Sequence, residues 1–341
     1  MTPQQSKKLR RFSTEVGRDI HRITLPLPGP RPGPSNVYLF LGDNVTLLDT
    51  GTAQAAGRLS RALSELGLSF SDIDRVVLTH GHIDHYGSAA KIVRATGGKA
   101  QVFAHREDTD SIQTGQEAKK RTTDRFLSLM GVPLPLRLSL ISVFLVFLKM
   151  AETVKVDRFL DDGDMIYLGN HKASVMATPG HTRGSVCFFL EKEGLLFAGD
   201  TVLAHITPNA LAMVEDGCDI PRRRAQDEFY RSLALIEEVC PRVVHPGHGR
   251  AMDDLPEIAS MYRTLFSERQ EKILDLLNNG GQTVWDVARK LFPDIRQFSY
   301  RYALEAYLAV SEVFTHAQEL EALEKTALVR AGNRILVRKE P

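Results

Sequence analysis

The sequence has few cysteines, almost no net charge and no long apolar run. Its three cysteines in 341 residues, Cys187, Cys218 and Cys240, are widely spaced, which argues against a disulfide framework and fits a reducing compartment. Forty-three basic residues against 42 acidic residues leave a formal net charge of +1. The chain therefore has no overall field that would attract nucleic acid or an anionic membrane.

The strongest apolar run, from Leu138 to Leu148, has eleven residues, whereas a membrane-spanning helix needs about 20. We therefore predict a buried or interfacial helix here and no membrane span. The basic N-terminus has no apolar segment behind it, so it lacks the pattern of a secretory signal. Together these features predict a globular, cytoplasmic protein.

Short apolar runs alternate with turn and helix signals along most of the chain. HRITLPLP, NVYLFLG and NVTLLDTG predict an antiparallel meander, and RVVLTH and QVFAH predict further strands. QAAGRLSRALSELG and GSAAKIVRATGG predict helices that end in glycine. Residues 107–156 are helical in pattern and are interpreted as an insertion, after which strand signals resume. Two sheets packed face to face, with helices outside, are the predicted architecture.

The composition changes again near Met252. Three helical segments follow, and the hairpin TALVRAGNRILVRK has Gly332 and Asn333 at its turn. This order predicts a winged-helix-like domain over 253–341. The remainder divides into an N-terminal extension over 1–22 and a catalytic domain over 23–252.

The stretch THGHIDHYG places three histidines and an aspartate within six consecutive positions. Residues two apart in an extended strand point the same way, so His80 and His82 can reach one metal ion. Asp84 and His85, beyond the turn, can reach another. Imidazole and carboxylate ligands suit Zn²⁺, Fe²⁺ or Mn²⁺, and each ion needs more ligands than this loop supplies.

Three later strand ends supply further candidate ligands, each directly after a glycine that lets the backbone approach closely. They are His181 in TPGH, Asp200 in FAGD and His248 in HPGHG. The alternative is that these are scattered surface or core residues. A clustered loop with three matching strand ends favours a metal site instead.

These motifs, with LLDTG upstream, resemble the H-x-H-x-D-H signature and accompanying motifs of the metallo-β-lactamase superfamily over roughly residues 23–249. The resemblance implies an α/β fold, the four-layer αβ/βα sandwich, with a dinuclear metal site at one edge. It implies that Asp49 lies beneath this site and accepts a hydrogen bond from a ligating imidazole. It also implies two ligand sets with a bridging carboxylate: His80, His82 and His181; Asp84, His85 and His248; and Asp200 between them.

Two metal ions about 3.5–4 Å apart share a water, lower its pKa and stabilise the oxygen that gains charge. The expected reaction is attack by the activated hydroxide on an acyl carbon or a phosphorus. The expected cofactors are two divalent ions, with Zn²⁺ favoured over Fe or Mn. Asp84 is predicted to orient this water or take its proton. His205 is a second catalytic candidate, unless it is merely packed, and His245 is a candidate supporting residue behind the ligands.

The substrate follows less directly from the sequence. If apolar residues of the insertion form a pocket wall near the metals, a small-molecule thioester, ester or lactone is favoured; they would otherwise form a buried core or a homodimer face. The body is similar to hydroxyacylglutathione hydrolases and lactonase-like hydrolases, and Asp200, in place of a cysteine ligand, argues against β-lactam hydrolysis. The residues of this predicted wall are Leu138, Ile141, Phe144, Leu145 and Phe147.

The C-terminal segment keeps two other functions open. It resembles the winged-helix domain of a hydrolase family that includes single-strand endoribonucleases, so single-stranded RNA is a second substrate class. The run Arg222 to Arg224 and the basic residues of the hairpin would then form a basic track. A ligand-sensing regulator that binds nucleic acid is a third hypothesis. Iron-dependent oxygen chemistry is a further hypothesis, which concerns the metal site and not the C-terminal segment.

Overall fold

A computed structural model describes residues 12–28, 32–147, 149–208, 210, 212, 221–277, 280–296 and 300–340. Within these residues the strands are β1 (Ser13–Gly17), β2 (Ile20–Leu25), β3 (Ser35–Phe40), β4 (Thr46–Leu48), β5 (Arg75–Val77), β6 (Gln101–His105), β7 (Arg158–Leu160), β8 (Met165–Leu168), β9 (His171–Ala177), β10 (Val186–Leu190), β11 (Leu195–Gly199), β12 (Val243–Pro246), β13 (Gln282–Thr283), β14 (Thr326–Ala331) and β15 (Arg334–Lys339). The helices are α1 (Ala56–Glu65), α2 (Ile83–Tyr86), α3 (Ala89–Ala95), α4 (Thr109–Gln113), α5 (Gln116–Leu129), α6 (Leu134–Phe147), α7 (Ala225–Glu238), α8 (Leu255–Leu276), α9 (Val284–Leu291) and α10 (Tyr300–Ala322).

The described strands form three sheets. The first has the order β1-β2-β3-β4-β5-β6-β7, antiparallel up to β4 and parallel from β4 onward. The second has the order β12-β11-β10-β9-β8 and is antiparallel except where β11 pairs with β12. A small third sheet, β13-β15-β14, lies in the C-terminal segment. The predicted meander of HRITLPLP, NVYLFLG and NVTLLDTG is confirmed as β2, β3 and β4.

Alternation along each strand builds the layers of the fold. On β3, Tyr38 and Phe40 belong to the core between the two large sheets, whereas Val37 and Leu39 point to the opposite face. Successive side chains of a strand point to opposite faces of its sheet. Because both faces of β3 are apolar, each face must be covered by another layer.

Helices cover the outer face of each large sheet. Helices α1 and α3 bury their apolar side against the outer face of the first sheet, where Leu59 and Ile92 join its core. Helices α7 and α8 do the same on the second sheet through Phe229, Leu233 and Tyr262. The order helix, sheet, sheet, helix confirms the predicted αβ/βα sandwich.

Two strands of the first sheet were not predicted from the sequence. Ser13–Gly17 pairs with Ile20–Leu25 as the edge strand β1, so the first sheet begins within the predicted N-terminal extension of 1–22. Arg158–Leu160 pairs in parallel with β6 as β7 at the other edge. Both segments are short and carry exposed or charged side chains, so neither shows the apolar alternation that marks a strand.

The inserted segment and the C-terminal segment share one hydrophobic core. On α6, Leu136, Leu140 and Val143 are buried in a cluster with residues of α5, α9, α10 and the third sheet. Leu134 and Leu138 on the same helix are exposed. The side chains of Phe144, Leu145 and Phe147, and all of Cys218, lie outside the described residues. Among the described residues of the whole chain, no helix is both long enough and apolar enough to cross a membrane.

Helix α8 connects the sandwich to this second core. Its first half contributes Ile258, Tyr262 and Phe266 to the core on the second sheet. Near its C-terminal end, Ile273 is buried in the core shared by the insertion and the tail. The predicted boundary at 252/253 thus precedes a helix that packs in both regions, and the winged-helix assignment stays a prediction.

Stability should fall in mild acid because His316 is buried without charge. It lies edge-on to Phe266 and its Nδ1 has no hydrogen-bond partner. Burial, assisted by Arg269, lowers the pKa of His316 to about 3 from its ordinary 6.5. The unfolded chain therefore binds a proton below about pH 6.5 that the folded chain rejects, so stability is present above that pH and is lost as pH falls toward 3.

We expect this histidine alone to remove about 2 kcal/mol of unfolding free energy between pH 7 and pH 5. Denaturant unfolding of the metal-free protein at both pH values measures the loss. His316→Leu should show a loss smaller by that amount, since the other titrating groups are common to both proteins. Equal losses in the two proteins would contradict the prediction.

Candidate metal centre

The predicted ligands follow strand ends that meet at one edge of the sandwich. His80 lies just beyond β5 in the first sheet, whereas His181, Asp200 and His248 follow β9, β11 and β12 in the second. Asp84 and His85 lie on the short helix α2. Parallel pairing of β11 with β12 brings the ends of these strands side by side. The structure thus brings all seven predicted ligands together.

The first group of candidate ligands is His80, His82 and His181. Nδ1 of His82 lies 3.1 Å from Nε2 of His80 and 3.0 Å from Nε2 of His181. Three ring nitrogens this close converge on one point. A single tetrahedral ion with three imidazole ligands and an open position fits such a set.

The second group is Asp84, His85 and His248. Nε2 of His248 lies 3.3 Å from Oδ2 of Asp84, and Nε2 of His85 lies 4.0 Å from the same oxygen. The group therefore offers two imidazoles and one carboxylate, a ligand set that suits Zn²⁺, Fe²⁺ or Mn²⁺.

Asp200 lies between the two groups. Its Oδ2 is 3.7 Å from Nε2 of His181 in the first group and 3.4 Å from Nε2 of His248 in the second. Its Oδ1 is 3.5 Å from Nε2 of His85. Gly247 makes this approach feasible, because a Cβ there would overlap Oδ1 of Asp200. The carboxylate is thus placed where a bridging ligand would be.

Unpaired buried atoms at the centre fit bound cations. Nε2 of His85, Nε2 of His248 and Oδ1 of Asp200 are buried and have no hydrogen-bond partner. Leaving such atoms unpaired costs free energy, so native proteins satisfy them with protein groups, water or ions. Because these atoms are all metal donors and converge, the residues present fit two divalent ions.

The charges of the cluster are strongly coupled. Burial raises the pKa of the Asp200 carboxyl, but His248 and His85 outweigh this effect and hold the pKa well below its ordinary value. Burial also raises the pKa of Asp84, and again His85 and His248 outweigh it and lower that pKa. Burial, with the neighbouring His85, lowers the pKa of His80. Without metal, both carboxylates are therefore ionised and His80 is neutral, whereas the neighbouring carboxylates outweigh burial and raise the pKa of His85 and of His248. A bound ion would displace the protons of these two imidazoles.

Asp49 fixes the orientation of two imidazoles from below. Its Oδ2 accepts a hydrogen bond from Nδ1 of His85 at 2.8 Å and one from Oγ1 of Thr79 at 2.8 Å. Nδ1 of His80 lies 3.0 Å from the same Thr79 hydroxyl. In both histidines Nε2 is left to face the centre. This is the position that the family resemblance implied for Asp49.

Backbone carbonyls orient His248 in the same way. Its Nδ1 donates to the carbonyl oxygens of Gly33 and Pro34, each at 3.1 Å. The Nε2 atom is thereby directed to Asp84 and Asp200. The loop before β3 thus supports the second group, a role that no local sequence pattern indicates.

The two remaining candidates lie in different surroundings. His205 is exposed, and its Nε2 donates to the carbonyl of Pro32 at 2.8 Å. A Cβ at Gly249 would lie 2.7 Å from its Nδ1, so it lies beside the residue that follows His248. His245 is stacked on Phe197 at 5.0 Å between the sheets, with both ring nitrogens unpaired. The catalytic role of His205 and the supporting role of His245 stay predictions.

One buried carboxylate near the first group was not predicted. Asp108 accepts hydrogen bonds from the backbone N–H groups of Gly81 and Gly184 and from the hydroxyl of Thr182. Its donors lie 27, 76 and 74 residues away in sequence, so no local pattern marks it. Only the folded chain reveals that this aspartate contacts two ligand loops.

Sequence comparison identifies relatives of the chain. The model of the metallo-beta-lactamase superfamily matches residues 30–248. The probable metallo-hydrolase YqjP of Bacillus subtilis (strain 168) is 29% identical, over 93% of this chain and 97% of its own length. The thioesterase pkgB of Emericella nidulans is 27% identical, over 79% of this chain and 66% of its own length.

Structural comparison extends the likeness over nearly the whole chain. The crystal structure of a metallo-beta-lactamase family protein from Thermus thermophilus is similar with a TM-score of 0.80 and 26% identity. The similarity covers 94% of this chain and 99% of that protein. It therefore includes the insertion and the C-terminal segment as well as the sandwich.

Proposed function

Because the chain belongs to the metallo-β-lactamase superfamily and is one of its metallo-hydrolases, we propose that it hydrolyses a thioester, ester or lactone at a dinuclear metal centre. The observation that carries this proposal is the convergence of two ligand groups on the shared carboxylate of Asp200. Zn²⁺ is the proposed metal, since imidazole and carboxylate are among its usual ligands.

The proposed chemistry divides between the ions and the chain. Two bound divalent ions would supply Lewis acidity, which lowers the pKa of water and polarises a substrate oxygen. Asp84 is 14% exposed at its side chain, so it is open to a reacting group, and its lowered pKa keeps it an acceptor. We propose that Asp84 orients the nucleophile and accepts its proton. His205 is exposed beside Gly249. We propose that it exchanges its hydrogen bond to the Pro32 carbonyl for one to the substrate.

An apolar acyl group is the proposed recognition element. After α6 the chain passes close to the segments that carry Asp49 and His85: the carbonyl of Met150 accepts the N–H of Ala53 at 2.7 Å, and the N–H of Glu152 donates to the carbonyl of Gly87 at 3.4 Å. Leu134 and Leu138 are 57% and 54% exposed, so they give α6 an apolar surface that is open to solvent. The thioesterase relative from Emericella nidulans supports a thioester as the first class to test.

Cleavage of RNA is the weaker alternative because two arginines of its predicted basic track are paired with glutamates. Arg223 pairs with Glu228 at 2.6 Å and donates to the carbonyl of Thr182. Arg224 pairs with Glu319 at 2.7 Å. Phosphate contacts depend on free cationic groups, so these pairs disfavour a nucleic-acid surface at this place. Single-stranded RNA, a homodimer and a cytoplasmic location remain predictions from the sequence.

A turnover assay with two substrate classes tests the proposal. The Zn²⁺-loaded protein is given acyl thioesters of increasing chain length, esters and lactones, and separately labelled single-stranded RNA. We expect metal-dependent release from the acyl substrates, with kcat/KM rising with acyl length because each buried CH₂ contributes about 0.8 kcal/mol. Metal-dependent RNA cleavage without acyl hydrolysis would overturn the proposal.

A further inference from the structure

We propose that Asp108 is a positioning residue that holds the two loops of the first ligand group, His80, His82 and His181, at the distance required for one metal ion. Asp108 is 5% exposed and lies between the end of β6 and α4. The inference rests on the proposed dinuclear centre and assigns a structural cause to the convergence of its first group.

The contacts of Asp108 reach both loops. Its Oδ2 accepts the N–H of Gly81 at 2.7 Å, and Gly81 is the residue between His80 and His82. The same oxygen accepts the hydroxyl of Thr182 at 2.7 Å, and Thr182 directly follows His181. Its Oδ1 accepts the N–H of Gly184 at 3.0 Å. One carboxylate therefore joins the loop after β5, in the first sheet, to the loop after β9, in the second.

The two glycines fit this arrangement closely. A Cβ at Gly81 would lie 3.1 Å from Cβ of Asp108, and a Cβ at Gly184 would lie 2.7 Å from its Cγ. At both glycines the backbone therefore packs against Asp108 with no room for a side chain. Because the three donors are fixed by backbone or by a short side chain, the position of Asp108 determines the separation of the loops.

A carboxylate is the group that these donors require. All three partners donate, and an ionised aspartate accepts at both oxygens. An asparagine in the same place has one accepting oxygen, and its NH₂ group would face either the Gly81 N–H or the Gly184 N–H. Asp108→Asn therefore keeps the volume of the side chain and breaks the connection to one loop.

The test is a Zn²⁺ titration of the full-length protein against a chromophoric chelator. We expect the wild-type chain to bind two ions and Asp108→Asn to bind one of them about 10–100-fold more weakly, the usual loss when a group behind a metal ligand is replaced. Loading with Co²⁺ should give an altered visible spectrum for that site. Asp157→Asn is the matched control, since Asp157 also accepts a backbone N–H, that of Val102 at 3.0 Å, without contacting a ligand loop.

A second variant covers the case in which Asp108→Asn does not fold. Thr182→Val keeps the shape of Thr182 and removes one of the three donors, so we expect a loss of about fivefold at the same site. Wild-type affinity at both sites in the folded variants would overturn the positioning role while leaving the proposed function intact. A wild-type chain that fails to bind two ions would overturn the proposed function, and this inference with it.

Discussion

Replacing Asp84 by alanine is expected to lower kcat/KM on the best acyl substrate by about 10²–10⁴-fold, the range that a positioned general acid or base contributes. Asp84 lies at the end of the centre that remains partly exposed, 3.3 Å from Nε2 of His248. Its lowered pKa keeps it ionised at neutral pH. The variant therefore removes a proposed ligand of the second group and the proposed proton acceptor in one change.

The experiment compares wild type, Asp84→Ala and the control Asp253→Ala after saturation with Zn²⁺. Asp253 is exposed and lies just beyond the loop that carries His248, so its removal should leave kcat/KM unchanged. Circular dichroism and the bound metal content separate a chemical defect from misfolding. Near-wild-type turnover in folded Asp84→Ala would refute its assignment.

Replacing Phe314 by alanine is expected to lower the free energy of unfolding by about 3–5 kcal/mol, as for other large aromatic side chains in cores. Phe314 on α10 is fully buried and lies edge-on to Phe126 of α5, with ring centroids 5.7 Å apart. The change would leave a cavity where the insertion meets the tail. Denaturant unfolding at fixed pH and saturating Zn²⁺ measures the effect.

The control is Leu323→Ala, which removes an exposed apolar side chain just beyond the same helix and should change stability by less than about 0.5 kcal/mol. A cost below about 1 kcal/mol for Phe314→Ala would argue that the tail and the insertion do not share a rigid core. The C-terminal segment also contacts the loop that follows Asp200, because Oη of Tyr262 on α8 donates to the carbonyl of Leu203 at 2.6 Å. A weakened tail should therefore lower turnover as well as stability.

The candidate ligands could be predicted because each lies in a short sequence motif, whereas their division into two groups was implied by the family resemblance. His80, His82, Asp84 and His85 lie within one loop, and the later ligands each follow a glycine at a strand end. Both signals are local, so they need no knowledge of the fold. The layers were predicted from apolar strand runs that interleave with helical patterns, and on β3 Tyr38 and Val37 face opposite cores, as such layers require.

Features that depend on long-range contacts could not be predicted. Asp108 acts through donors on two distant loops, and a lone aspartate after a strand resembles an ordinary turn residue. The interpretation of His245 relied on its spacing from His248, whereas its partner is Phe197 on the neighbouring strand β11. The packing of the insertion against the C-terminal segment also depends on apolar faces that lie far apart in sequence.

The most direct test of the central claim is a titration of chelator-treated protein with Zn²⁺ while hydrolysis of an acyl thioester is followed. The account predicts that turnover is absent without metal and reaches its maximum at two equivalents per chain, because the two ligand groups share Asp200. Turnover that is independent of added metal, or that is already maximal at one equivalent, would contradict a dinuclear hydrolytic centre.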